Sequence, residues 1–90
     1  MPLRVHDVTV PEDLQPDHLQ RIAQQASLFR SDIKIKFENE RIQLDAKSLL
    51  GMMMLPMRRG TRVTVLAQGN DEEEALERIA SLLERQEWNS

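Results

Sequence analysis

The chain has 90 residues, with 12 Lys and Arg against 15 Asp and Glu, a net charge of −3, and no cysteine. That length supplies one modest core, so residues 1–90 are expected to form a single domain; without cysteine there is no disulfide staple, thiolate chemistry or cysteine-rich metal site. The acidic balance and the few aromatics, two Phe and one Trp, argue against direct nucleic-acid binding, and no apolar run approaches the ~20 residues of a membrane span.

Residues 3–10 alternate as a strand, with Val8 and Val10 pointing one way and Thr9 the other, and Leu3 and Val5 continuing the pattern less cleanly. A strand with charges in it is not a leader peptide, and a cytoplasmic location is expected. Pro11-Glu12-Asp13 ends the strand. Pro16 suits the first turn of a helix, where its missing N–H costs nothing. Leu19, Ile22, Ala23, Ala26 and Phe29 then form one apolar stripe, with Gln20, Arg21, Gln24 and Gln25 on the wet face. Ile33, Ile35 and Phe37 alternate with Lys34 and Lys36. Glu38-Asn39-Glu40 turns the chain, and Ile42, Leu44 and Ala46 alternate with Arg41, Gln43 and Asp45 in a partner strand.

Residues 46–55 change character. Ser48 stands where a helix cap belongs, its hydroxyl placed to accept from N–H groups that otherwise lack partners. Leu49, Met52 and Met53 fall on one face of a short helix, and Leu50 and Met54 on the neighbouring one. A serine at a helix start also suits a phosphate; the plain alternative is only a cap on a core helix. Met52, Met53, Met54 and Met57 cannot all face inward on so short an element, and flexible thioethers left outside make an adaptable docking surface.

Pro56 and Gly60 end that segment, and Met57-Arg58-Arg59-Gly60 is a loop with two adjacent positive charges. Val63, Val65 and Ala67 alternate with Arg62, Thr64 and Leu66 in a fourth strand, and Gly69-Asn70 turns the chain. Asp71 with Glu74 three residues on reads as a capping box, followed by the stripe Ala75, Leu76, Ile79, Leu82 and Leu83. The run Glu72-Glu73-Glu74 suits the helix dipole and, fanning out around the helix, is not a metal site. His6 and His18 have no metal-ligand spacing, so neither metal nor cofactor is expected. Trp88 lies beyond the helix, folded back or dangling.

The order strand, helix, strand, strand, short helix, strand, helix predicts an α+β fold: an open-faced sandwich of four antiparallel strands with helices on one face.

Three strings carry a resemblance across most of the chain: Ala46-Lys47-Ser48-Leu49-Leu50-Gly51-Met52-Met53, Gly60-Thr61-Arg62-Val63-Thr64-Val65, and Ala67-Gln68-Gly69-Asn70-Asp71-Glu72 leading into Ala75-Leu76. Together they resemble the HPr family, the phosphocarriers of the bacterial sugar phosphotransferase system, and imply four strands covered by three helices. The family's motif, Gly-Leu/Ile-His-x-Arg-Pro-Ala, opens the first helix; its histidine takes a phosphoryl group from Enzyme I, and its arginine holds the phosphate. Here Gln15 stands at the histidine's place and Asp17 at the arginine's. The glutamine is similar to that of the Crh-like regulatory branch found in bacilli.

That resemblance implies a regulatory protein of carbon catabolite control and not an enzyme. Ser48 would be the phosphorylated serine, and Lys47, Leu49, Leu50, Met52 and Met53 the partner-binding surface. The partners implied are a kinase/phosphatase of the HPr type and a catabolite control transcription factor; a homodimer is also allowed. Gln15, Asp17 and His18 form a degenerate phosphocarrier site. Two alternatives stand beside this reading: a carrier using His18, whose ring could receive phosphate at the helix start, and an HPr-fold interaction module that is not phosphorylated.

Overall fold

The computed structural model describes residues 4–39, 41–54 and 56–85. Leu3, Glu40, Leu55 and Trp88 lie outside the described residues.

The elements follow in the order β1 (Arg4–Thr9), α1 (Pro16–Ala26), β2 (Asp32–Phe37), β3 (Gln43–Asp45), α2 (Leu49–Met52), β4 (Arg62–Gln68) and α3 (Glu72–Arg85). The strands form one antiparallel sheet in the order β1-β4-β2-β3, so β4 is inserted between β1 and β2. β1 and β2 therefore run parallel on either side of β4, and α1 crosses between them; α2 lies on the matching crossover from β3 to β4. Crossovers of the usual right hand lay both helices on the same face. The α+β sandwich expected from the sequence is the one observed.

Register follows the alternation. Val63, Val65 and Ala67 of β4 stand opposite Val8, His6 and Arg4 on one side and Phe37, Ile35 and Ile33 on the other. The covered face buries Val8, Ile33, Ile35, Phe37, Leu44, Val63, Val65 and Ala67. From the helices come Leu19, Ile22, Ala23 and Ala26 of α1, Met52 of α2, and Ala75, Ile79, Ala80 and Leu83 of α3. At the charged end of β1, Arg4 pairs with Glu72 (3.3 Å) and Glu73 (2.7 Å), and His6 with Glu84 (2.8 Å), fastening this edge strand to α3. Val5 points to the open face and is exposed.

Several expectations need correction. The α1 stripe stops at Ala26, and Phe29 packs half-buried from the connection instead of from the helix. The Ser27 hydroxyl donates to the Ala23 carbonyl, and Leu28 and Phe29 bond to the carbonyls of Gln25 and Ala26; this tightened last turn diverts the chain before another helical turn forms. Ile42 shares Leu44's parity yet is exposed at the turn end of the edge strand, next to Arg41, which takes a positive φ of 54°. Leu76 is only partly buried, whereas Ile79 is fully buried.

The capping box is also redrawn. Asp71 turns its carboxylate toward the start of β2, where it accepts from the backbone N–H groups of Arg30 and Ser31 and from the Ser31 hydroxyl. Glu72, not Glu74, reaches back to the Gly69 N–H at 3.1 Å. Gly69 has φ +152°, and a Cβ there would lie 2.7 Å from the Ser31 Cα, so only glycine lets this turn approach so closely.

The Ser31 hydroxyl, then the Arg30 N–H, hold the Asp71 carboxyl at about 2, below its usual 3.8, against an opposing effect of desolvation. The folded value is the lower one. Its contribution is therefore complete above about pH 4 and is lost as pH falls toward about 2. Urea unfolding across that interval should show stability falling with acid, and Asp71→Asn should flatten that part of the curve. An unchanged slope in the variant would contradict the assignment.

Candidate functional site

α2 is a single turn, and its start is built from local bonds. The Asp45 carboxylate accepts from the Lys47 N–H (2.9 Å), and the Asp45 carbonyl from the Ser48 N–H (3.0 Å). Ser48 is extended (φ −108°, ψ 110°), and its hydroxyl oxygen accepts from the Gly51 N–H at 3.0 Å. This is the N-cap geometry the sequence predicts. A Cβ on Gly51 would stand 3.2 Å from that oxygen, so the glycine keeps space around the hydroxyl. Ser48 is half-buried.

Lys47 does not point freely into solvent. Its ammonium donates to the Phe29 carbonyl at 2.8 Å, tying the start of α2 to the α1–β2 connection. No local pattern announces this bond, because its partners lie 18 residues apart.

The apolar residues of residues 49–57 divide sharply. Met52 is 0% exposed and Met57 2%, both in the core. Leu50 is 82% exposed, Met54 76% and Met53 51%, while Leu49 is half-buried. Met52 is thus removed from the docking set: it supports the surface from beneath and cannot touch a partner. Met53 also leaves the face it was expected to share with Met52. The apolar residues left exposed here are Leu50, Met53 and Met54, with Leu49 partly so. Met54 was missing from the expected set, although its spacing of four from Leu50 was the signal for it.

The segment expected to hold a degenerate motif opens α1. Gln15 is the N-cap in extended conformation (φ −83°, ψ 162°), and its side chain makes no capping bond. Its carbonyl accepts from the N–H groups of His18 (3.0 Å) and Leu19 (3.1 Å). Pro16 occupies the first turn as expected, Gln15 and Asp17 are exposed, and His18 is half-buried. This entry is fixed against the segment following α2: the Leu14 N–H donates to the Met57 carbonyl (2.9 Å), and Asp13 accepts from the Arg59 N–H (2.7 Å). Among the described residues no three His, Asp or Glu side chains converge as a metal site, and no helix is long and apolar enough to cross a membrane.

The fold is a small open-faced sandwich that carries its candidate groups on the surface, at the starts of α1 and α2. The family model for the PTS HPr component phosphorylation site matches residues 4–85, and the chain belongs to the HPr family of the phosphotransferase system. It is 35% identical over 80 residues to the HPr-like protein Crh of Bacillus subtilis strain 168, covering 89% of this chain and 92% of that one. The crystal structure of the phosphocarrier protein HPr from Bacillus anthracis str. Ames superposes with a TM-score of 0.86 at 30% identity, covering 93% of this chain and all of that one. A Bacillus subtilis Crh crystal structure, described as a domain-swapped intertwined dimer, matches with a TM-score of 0.72 at 37% identity over 84% of this chain and 85% of that one.

Proposed function

We infer that the chain is a Crh-like regulatory protein of carbon catabolite control, cytoplasmic and not itself an enzyme. Phosphorylation of Ser48 switches it, and it acts by docking its α2 surface onto protein partners. The kinase is of the HPr kinase/phosphatase type, and the receiving partner is a catabolite control transcription factor. A homodimer belongs to the same reading, supported by the dimeric Crh relative. The observation that carries this reading is one juxtaposition: Ser48 caps the helix whose next residues, Leu50, Met53 and Met54, stand out into solvent.

Phosphate on Ser48 adds about −1.5 to −2 charge at neutral pH, next to the Lys47 backbone and the first N–H groups of α2. A one-turn helix has little dipole, so the effect on the fold is small and the main change is at the surface. A dianion now borders an apolar patch, and a partner offering Arg beside a hydrophobic groove gains a charge-assisted hydrogen bond together with apolar burial. The Lys47 ammonium is drawn toward the same phosphate and away from the Phe29 carbonyl it holds in the unmodified protein.

The test is partner binding by the phosphorylated and unmodified protein at two salt concentrations. The phosphorylated form should bind more tightly, with an advantage that shrinks at high salt. Ser48→Ala should abolish the advantage and cost roughly 0.5–2 kcal/mol of cap stability without unfolding the protein. Equal affinity of both forms would leave Ser48 as a structural cap alone.

A further inference from the structure

Beyond α2 the chain builds a second feature. The loop that leads into β4 is pinned along its backbone: Thr61 N–H donates to the Arg58 carbonyl (2.9 Å), Gly60 N–H to the Val10 carbonyl (2.7 Å), and Val10 N–H to the Thr61 carbonyl (2.8 Å). Arg58 N–H reaches the Thr61 hydroxyl (3.1 Å), and Arg59 N–H reaches Asp13 (2.7 Å). Across from this loop, at the same end of the sheet, lies the β2–β3 turn. Between them is a cleft of about 370 Å³ lined by Phe37, Glu38, Asn39, Pro56, Arg59 and Arg62. Gly60, also in the lining, has φ +87° and open space where a Cβ would stand.

The charges in this cleft are only loosely committed. Arg62 Nη1 stands 3.8 Å from Glu38 Oε1, beyond hydrogen-bond length, with the two side chains 67% and 55% exposed. Such a pair contributes little and gives way readily to a better partner. Arg59 has no ion pair among the described residues.

We propose that this cleft binds a small hydroxylated organic oxyanion, a phosphate ester or carboxylate on a polyol-like body, with Arg59 and Arg62 holding the oxyanion. Guanidinium groups match the oxygens of both anions, and a loop already fixed by five hydrogen bonds loses little freedom on binding. The volume lies near the lower end of the about 300–1,000 Å³ of small-molecule sites, which sets the size of the ligand. Glu38 sets its charge and its hydroxyl groups: the carboxylate repels a second anionic group and accepts from a ligand hydroxyl, and Asn39 can donate to or accept from another. Pro56, which is exposed, supplies an apolar wall against which the body rests. Nucleic acids and other polyanions are disfavoured by the same glutamate.

The experiment is a titration of the isotope-labelled full chain, followed by backbone amide resonances, with a hexose phosphate, gluconate, inorganic phosphate and glucose as separate probes. Saturable shifts confined to Asn39, Gly60, Thr61 and Arg62 are expected with the hexose phosphate, gluconate or both, and the stronger of the two identifies the anion. Arg59→Gln and Arg62→Gln should each weaken binding by about tenfold or more while leaving thermal unfolding unchanged. Absence of saturation, equal binding of inorganic phosphate or of glucose, or unaltered affinity in both variants would overturn the proposal.

Discussion

Ile79→Ala should lower the unfolding free energy by about 2–5 kcal/mol, a large share of the about 5–15 kcal/mol that holds a small domain together. Ile79 is fully buried in the middle of α3, one turn from Leu83 and Ala75, which are also fully buried. These three residues lie on the side that α3, packed against β1 and β4, turns to the core. Removing three carbons there leaves a hole that rigid strands cannot close, so the cavity adds to the lost transfer energy. Leu76→Ala should cost less, because Leu76 is already partly in water. Urea unfolding of both variants measures the difference. A loss below about 1 kcal/mol for Ile79, or a larger loss for Leu76, would mean that α3 is rotated from the orientation described.

That ranking of Ile79 above Leu76 could not be read from the sequence, since both lie on the apolar side of the same stripe. The fold itself was largely legible. In β2 and β4 each residue belongs to one face or the other, and strict alternation states which. α1 and α3 are long enough for a 3.6-residue period to fix their buried side. α2 is not. A helix of four residues has barely one turn, so its phase was underdetermined, and Met52 and Met53 were placed together when one is core and the other surface. The remaining misses are tertiary. Asp71 was assigned to its own helix because capping rules are local, but its carboxylate found the N–H groups of Arg30 and Ser31 some 40 residues away. Nothing near Lys47 in the sequence signals that its ammonium holds the Phe29 carbonyl. In the candidate site, Ser48 as the cap was legible because a cap depends only on the next three residues. The cleft at Arg59 and Arg62 was not, because it is assembled from two loops that meet only when β2 and β4 pair.

The chain should take no phosphoryl group from Enzyme I, and restoring transfer should require two changes. Transfer in the family passes a phosphoryl group to an imidazole nitrogen at the start of the first helix. The resemblance puts Gln15 at that point, and a carboxamide is not a competent nucleophile toward phosphorus. The backbone there still opens a helix: Gln15 is its extended N-cap, and the first N–H groups of α1 lie at that end. A histidine introduced at Gln15 would therefore stand at the beginning of an intact helix. Asp17 opposes it. It is exposed in the first turn, two residues away, where the family has the arginine that holds the phosphate. Exchanging attraction for repulsion between exposed unit charges about 4–6 Å apart changes the balance by about 1–2 kcal/mol, roughly tenfold in rate. Gln15→His alone should thus recover little transfer, and Gln15→His with Asp17→Arg substantially more. Incubation with Enzyme I and labelled phosphoenolpyruvate, followed by acid treatment to distinguish labile phosphohistidine from stable phosphoserine, measures both. Efficient labelling of the unaltered chain at His18 would instead make it a carrier with a displaced histidine. That outcome is disfavoured by the half-burial of His18 and by Asp17 beside it.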